Sequence, residues 1–288
     1  MNVITVYEWL NTGNNKDRVA KLLGDKPVHE LAELFSATDS ITCDEALAKT
    51  LNTNCHDAVY MSRLKSSQDL INKGIILIYH GNKDSSMTPQ FGKGKKNNDF
   101  GQGFYTTPNP ELGKEWAYSS YTQGDVGFLH CYELDIRNLC VLNLIECDTL
   151  VWVAELLANR GLKTDGNSQA ADILKEDAAK LISLYKMDTS NYDVIIGYRA
   201  DDSYFKYADD FVKGQLYKET LDKALLLGDL GLQVFVKSEK AFSSLTKISV
   251  EQVDTKYRTF YQRRDRNARD RYEDIRHERG TKRIFNFI

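Results

Sequence analysis

The chain predicts an α+β fold, on three observations. Short apolar runs bounded by glycine or polar loops recur as strand-like segments near 74–79, 127–136, 139–144, 192–198 and 231–237. Apolar residues at three- and four-residue steps mark helices through 1–73 and again through 146–188. The strand-rich middle is flanked by helical ends, which divides the chain into a helical lobe (1–73), a sheet-bearing domain (74–252, with a helical insertion at about 146–190) and a basic helical segment (253–288).

In chain order, Val6 to Leu10, Val19 to Leu23, Val28 to Phe35 and Ala46 to Leu51 carry the first helical stripes. Thr42 followed by Glu45 fits a capping box opening the helix of Ala46 and Leu47, and Asn54 suits a cap for the helix through Ala58, Met61 and Leu64. The short helices resemble a helix-turn-helix weakly and fit a lobe covering the sheet better, as cover or as a docking piece for substrate or partner.

Gly74-Ile75-Ile76-Leu77-Ile78-Tyr79 reads as a buried strand ending in His80-Gly81. An imidazole there can donate to or accept from a ligand hydroxyl, and glycine lets a ligand approach bare backbone. The segment from Lys93 to Tyr105 holds three glycines and two asparagines, which predict a tight loop with positive-φ positions, and its lysines predict an anionic visitor. Tyr105 emerges two residues after Gly103. A helix opens near Pro108-Asn109-Pro110-Glu111 and carries Trp116 and Tyr118, so the turn can bring the Tyr105 and Trp116 rings together.

The runs 127–136 and 139–144, separated by Arg137-Asn138, are expected to pair or lie adjacent in one sheet, with His130 a strand residue. Leu150 to Leu157 and Ile173 to Leu184 form two helices divided by the loop 161–167. Tyr192 to Tyr198 is a buried strand, after which Asp201 and Asp202 serve as acid-base groups or, more simply, cap the next helix. The tail 256–283 holds nine arginines and two lysines against five acidic residues, so it is +6 while the rest is −9. Tyr257, Phe260, Tyr261 and Tyr272 are interleaved there, which fits a nucleic-acid face or a solvated helix with pairs from Asp270 and Asp274. The closing Arg283-Ile284-Phe285-Asn286-Phe287-Ile288 is apolar enough to dock as a strand or under a lobe.

With 42% hydrophobic and 27% charged residues the composition is that of an ordinary globular protein, and the net charge of −3 makes no whole-chain case for nucleic acid. Five cysteines in no CxxC pair and no secretory signal lead us to expect a reducing, cytoplasmic home. No apolar run reaches the roughly 18 residues of a membrane helix. The histidines and cysteines are not spaced as metal ligands, so no metal is expected.

His80-Gly81, Gly103-Phe104-Tyr105 and an aromatic eleven residues on resemble the first two motifs of the diphtheria-toxin and poly-ADP-ribose-polymerase branch of the ADP-ribosyltransferases. The run Gly94-Lys95-Lys96-Asn97-Asn98-Asp99-Phe100-Gly101-Gln102-Gly103-Phe104-Tyr105 is similar to an uncharacterised bacterial domain family distantly related to them. The resemblance spans about 74–273. It implies a split, mainly antiparallel sheet core and NAD as substrate. His80 and Gly81 would hold ribose and amide, with Tyr105 and Trp116 clasping the nicotinamide. Lys95, Lys96 and Asn98 would touch phosphate or acceptor, and Gly103 would border the ring. Where that branch places a catalytic glutamate, the strand 231–237 puts Gln233, which hydrogen-bonds but carries no charge.

The implied activity is mono-ADP-ribosylation, a pentosyl transfer to a macromolecule, protein or nucleic acid. Its expected setting is a toxin or antiphage effector with a neutralising partner protein. With a glutamine in that place, three outcomes stay open: another carboxylate or the acceptor supplies the base, the chain only binds NAD or ADP-ribose, or activity is lost. A nucleic-acid-binding regulator led by the basic tail is the remaining alternative.

Overall fold

In the computed structural model, which describes residues 3–24, 42–52, 58–119, 126–162, 168–199, 202–227 and 231–288, the strand-like runs form two sheets. One is three-stranded, in the order β1 (Ile75–Asn82), β3 (Gly127–Asp135) and β7 (Leu245–Val253), antiparallel throughout. The other runs β2 (Phe104–Thr106), β6 (Leu232–Val236), β5 (Val194–Tyr198) and β4 (Val141–Asn143); β4–β5 is parallel and the other pairings are antiparallel. Reciprocal backbone bonds between Tyr79 and Thr107, at 2.8 and 3.0 Å, stitch β1 to the end of β2. The fold is therefore α+β with mainly antiparallel sheets, as the sequence leads one to expect.

Two expectations are corrected here. The runs 127–136 and 139–144 do not pair: β1 and β7 take both edges of β3, so Arg137 and Asn138 hand the chain to the other sheet, where β4 pairs with β5. Only Val141–Asn143 is extended, because the Asn143 side chain accepts from the Ile145 amide and bends Leu144–Glu146 into a 3-10 turn. β7 is a strand that the hydrophobic pattern hides. It lies at a sheet edge with most residues exposed, so no apolar face marks it.

The first helices are α1 (Val3–Leu10), α2 (Asn15–Leu23) and α3 (Cys43–Thr50), whose Val6, Val19 and Leu47 share a small core. The Thr42 hydroxyl accepts from the Glu45 amide at 3.1 Å and so caps α3 as expected. Next comes α4 (Ala58–Asn72), which belongs to the main core instead: Tyr60 and Leu70 are buried in it, and the Tyr60 hydroxyl donates to the Ile145 carbonyl at 2.8 Å. The expected helix at Val28 to Phe35, the Asn54 cap and Asp201 lie outside the described residues.

Helix α5 (Pro110–Trp116) stops at Trp116, short of the expected Tyr118, whose hydroxyl instead donates to the Val253 carbonyl. The two helices of the middle region are α6 (Thr149–Arg160) and α7 (Gln169–Tyr185), capped by Asp148 and Ser168. Helix α6 is central to the core rather than appended to it. It is buried from Thr149 to Leu157, and Trp152, 1% exposed, donates to the Tyr198 carbonyl at 3.2 Å. Burial of a side chain that size contributes about 2–3 kcal/mol.

Helices α8 (Asp202–Val212), α9 (Lys218–Leu226) and α10 (Glu239–Ser243) precede the basic α11 (Lys256–Ile275). On α11, Tyr257 and Tyr272 turn inward and donate to Glu111 and Asp210, both at 2.6 Å. Its own ion pairs join Asp265 to Arg269 and Glu273 to Arg276. The chain's end forms a 3-10 turn, Ile284–Asn286, with Ile284 buried and Phe287 against Phe211. Among the described residues no helix is long and apolar enough to cross a membrane.

Candidate functional site

His80 stands near the end of β1, opposite His130 on β3, and its Nδ1 lies 2.7 Å from the Tyr105 carbonyl oxygen. A carbonyl can only accept, so Nδ1 carries the proton and Nε2 keeps its lone pair. Burial draws the His80 pKa down to about 4; the Tyr105 carbonyl opposes that shift and His130 adds to it. The ring is thus a neutral acceptor at physiological pH.

Gly81 is needed for a reason that spacing alone does not show. A Cβ there would lie 2.2 Å from the Gly113 carbonyl and 2.3 Å from the Ala117 amide, so its bareness lets α5 press against β1. This close approach positions Trp116, the last residue of α5.

The loop between β1 and β2 is sewn to the strand that follows it. The Tyr105 hydroxyl donates to the Gly101 carbonyl at 2.8 Å and accepts from the Phe100 amide at 2.9 Å. Of the three glycines in the 93–105 segment, Gly101 takes a positive φ of 85°. The other two serve close approach: a Cβ on Gly94 would strike the Gly103 carbonyl at 2.4 Å, and one on Gly103 would strike Phe235 at 2.3 Å. From below, α6 holds the same loop. Asn159 donates to the Asp99 carbonyl at 3.2 Å, and Arg160 pairs with the buried Asp99 carboxylate at 3.0 Å.

These elements enclose a cavity of about 720 Å³. The fold brings His80, Gly81, Asn98, Gly103, Tyr105, Trp116 and Gln233 to its lining together. Lys95 lines it as well, while Lys96 is exposed outside that lining. The Tyr105 ring sits 4.6 Å from Phe235 and runs nearly parallel to Phe100, and burial raises its hydroxyl pKa with Asp99 adding to the rise. Trp116 carries the Arg199 guanidinium on its ring at 4.6 Å.

Gln233 is the second residue of β6, opposite Gly197 of β5 and on the same strand face as Phe235. It is 4% exposed, and its Oε1 meets no hydrogen-bond partner among the described residues. A buried acceptor left in that state costs about 1–3 kcal/mol. It fits a site kept for a donor on a ligand.

Arg160 and Arg199 line the cavity, and sequence reasoning missed both. Arg199 directly follows a buried strand, a place where ligands meet open sheets, and that signal could have found it. For Arg160 no local signal exists, since its partner Asp99 is sixty-one positions away.

A family model described as Protein of unknown function (DUF3990) matches residues 76–246, more than half of the chain. No curated protein and no solved structure matches the chain.

Proposed function

The chain belongs to the DUF3990 family, and we propose that it is a mono-ADP-ribosyltransferase that takes NAD in the 720 Å³ cavity and modifies a macromolecule. The observation that carries the reading is that Gln233, whose buried Oε1 meets no partner among the described residues, lines one cleft together with a tautomer-fixed His80 and the Tyr105 and Trp116 rings. The volume lies within the ordinary range for small-molecule sites, roughly 300–1,000 Å³. Lys83, Lys93 and Lys95 on the lining supply positive charge for a diphosphate.

In the reaction the bond between ribose and nicotinamide breaks with its electron pair going to the nicotinamide nitrogen. The sugar carbon becomes cationic, the acceptor's nucleophile bonds to it, and the acceptor loses a proton. His80 Nε2 accepts from a ribose hydroxyl, and the aromatic faces hold the planar cationic ring. Gln233 Oε1 accepts from a second hydroxyl and aims its dipole at the developing charge. Orienting the dinucleotide is the largest part of what these residues do.

The absence of a charge at Gln233 favours one second reading, a module that binds NAD or ADP-ribose without cleaving it. NAD labelled in its adenylate half, incubated with the protein and a cell lysate, separates the two. Label on a macromolecule with an equal release of nicotinamide supports the transferase, and digestion by protease or nuclease then assigns the acceptor class. Binding without release supports the module, and no binding removes both.

A further inference from the structure

Resting on the transferase reading above, we propose that Asp99 supplies the negative charge that position 233 lacks, facing the cation formed at the ribose carbon. It also receives the proton given up as the acceptor bonds to that carbon.

Asp99 is the one carboxylate among the described residues that line the cavity, where five basic side chains also stand. Its place relative to the Tyr105 ring is fixed. The next residue, Phe100, donates its amide to the Tyr105 hydroxyl, that hydroxyl donates to Gly101, and Asn159 holds the Asp99 carbonyl. Its charge is felt at that ring, where it adds to the rise of the Tyr105 hydroxyl pKa.

Stability alone does not call for this carboxylate. A buried ion pair is weak evidence for stability, because well-packed apolar replacements are often as good or better. Here Asp99 is 5% exposed, at 3.0 Å from Arg160, and the Arg160 guanidinium is stacked 4.7 Å over Phe205. The stacking and the ion pair together fix the guanidinium, which is itself on the cavity lining. A carboxylate on the lining of a cleft whose strand position offers only an amide stands where it can act on charge developing in a ligand.

The test is Asp99→Asn, which keeps an acceptor for Arg160 and removes the charge. We expect nicotinamide release to fall by roughly a hundredfold, the size seen when one transition-state electrostatic contact is lost. NAD binding by calorimetry should stay within about threefold, since the ground state loses less than the transition state. The decisive measurement is Gln233→Glu in both backgrounds: it should raise release at least tenfold more with Asp99→Asn than in the native protein, whereas a merely structural Asp99 leaves the two gains equal.

Should Asp99→Asn alone unfold, Asp99→Asn with Arg160→Gln removes both charges while keeping an amide pair, and the same comparison is read in that background. Release unchanged by Asp99→Asn, or raised by Gln233→Glu no more there than in the native protein, overturns the proposal while leaving the transferase reading intact. Native protein that binds NAD but releases no nicotinamide overturns both.

Discussion

The Nδ1 of His80 and the carbonyl oxygen of Tyr105 are 2.7 Å apart, so the two sequence motifs that frame the cavity are bonded directly to each other. One prediction follows from the burial of that ring. His80 should titrate near pH 4 rather than near 6.5, because burial disfavours its charged form. A histidine with a lowered folded pKa stabilises the fold fully above its unfolded pKa, and that contribution is lost as pH falls from about 6.5 toward about 4. Activity should therefore show no inflection from His80 between pH 6 and 8. Imidazole NMR shifts across pH 3–8 measure it, and an inflection near 6.5 contradicts the burial of the ring while leaving its bond to Tyr105 in place.

The contact between Gly81 and α5 gives a second prediction. In Gly81→Ala the new methyl would meet backbone, the Gly113 carbonyl at 2.2 Å and the Ala117 amide at 2.3 Å, which cannot swing aside as a side chain can. Overpacking of this kind costs about 1–3 kcal/mol, or roughly 2–4 °C of melting temperature per kcal/mol in a chain of this size. The displaced helix ends in Trp116, so NAD binding should weaken along with stability. Calorimetric melting and NAD titration together check this; a variant that melts normally and binds normally contradicts the packing argument.

How much of this was legible in the sequence depends on how local each signal is. The α3 cap and the β1 strand with His80 near its end are short-range chemistry and stand where the residues predict them, but β1 buries only one face, since Ile75 and Leu77 are exposed, and of the three loop glycines only Gly101 takes the expected positive φ. Gly81 was legible as special but not for its reason, because spacing does not reveal that a helix backbone crosses it. β7 was illegible because an edge strand exposed on most positions carries no apolar periodicity. The Arg160–Asp99 pair was illegible because tertiary packing alone brings a helix end to a loop sixty-one residues away. Position 233 was reached only through resemblance, and the burial of its Oε1 without a partner among the described residues comes from packing that no local pattern shows.

The guanidinium of Arg199, 4.6 Å over Trp116, is a planar cation resting on a ring proposed to hold a planar cation. A pyridinium that takes this face must displace it and forfeit a contact of about 0.5–1 kcal/mol. Arg199→Ala is thus expected to tighten NAD binding by about two- to fivefold, the same energy expressed as affinity. Quenching of tryptophan fluorescence during an NAD titration reads it. Weaker binding in that variant would mean that the guanidinium holds the ligand's phosphates instead.

The Tyr105 hydroxyl can be separated from its ring. Tyr105→Phe leaves the aromatic face but strands the Phe100 amide and the Gly101 carbonyl, at a cost of about 1–3 kcal/mol. Hydrogen exchange over residues 98–103 should accelerate, since local opening replaces the lost bonds. Exchange as slow as in the native protein would show that Asn159 and Arg160 hold the loop without the hydroxyl.

The basic helix α11 bears on the cavity through Arg264, which grips Glu115 with two bonds, at 2.8 and 2.9 Å, next to Trp116. Glu115 is only 3% exposed, so removing its partner leaves a buried carboxylate uncompensated, a change worth about 3–5 kcal/mol. Arg264→Ala should therefore lower the melting temperature more than Arg266→Ala, whose side chain is exposed. Arg264→Ala should also weaken NAD binding, because α5 loses the brace beside its last residue. Glu115→Gln in the same background removes the stranded charge and should recover much of the stability. If Arg264→Ala and Arg266→Ala melt alike, α11 is not the brace that this pair describes. A tail serving nucleic acid would then have to act through its exposed arginines with Phe260 and Tyr261, since Tyr257 and Tyr272 are already spent on Glu111 and Asp210.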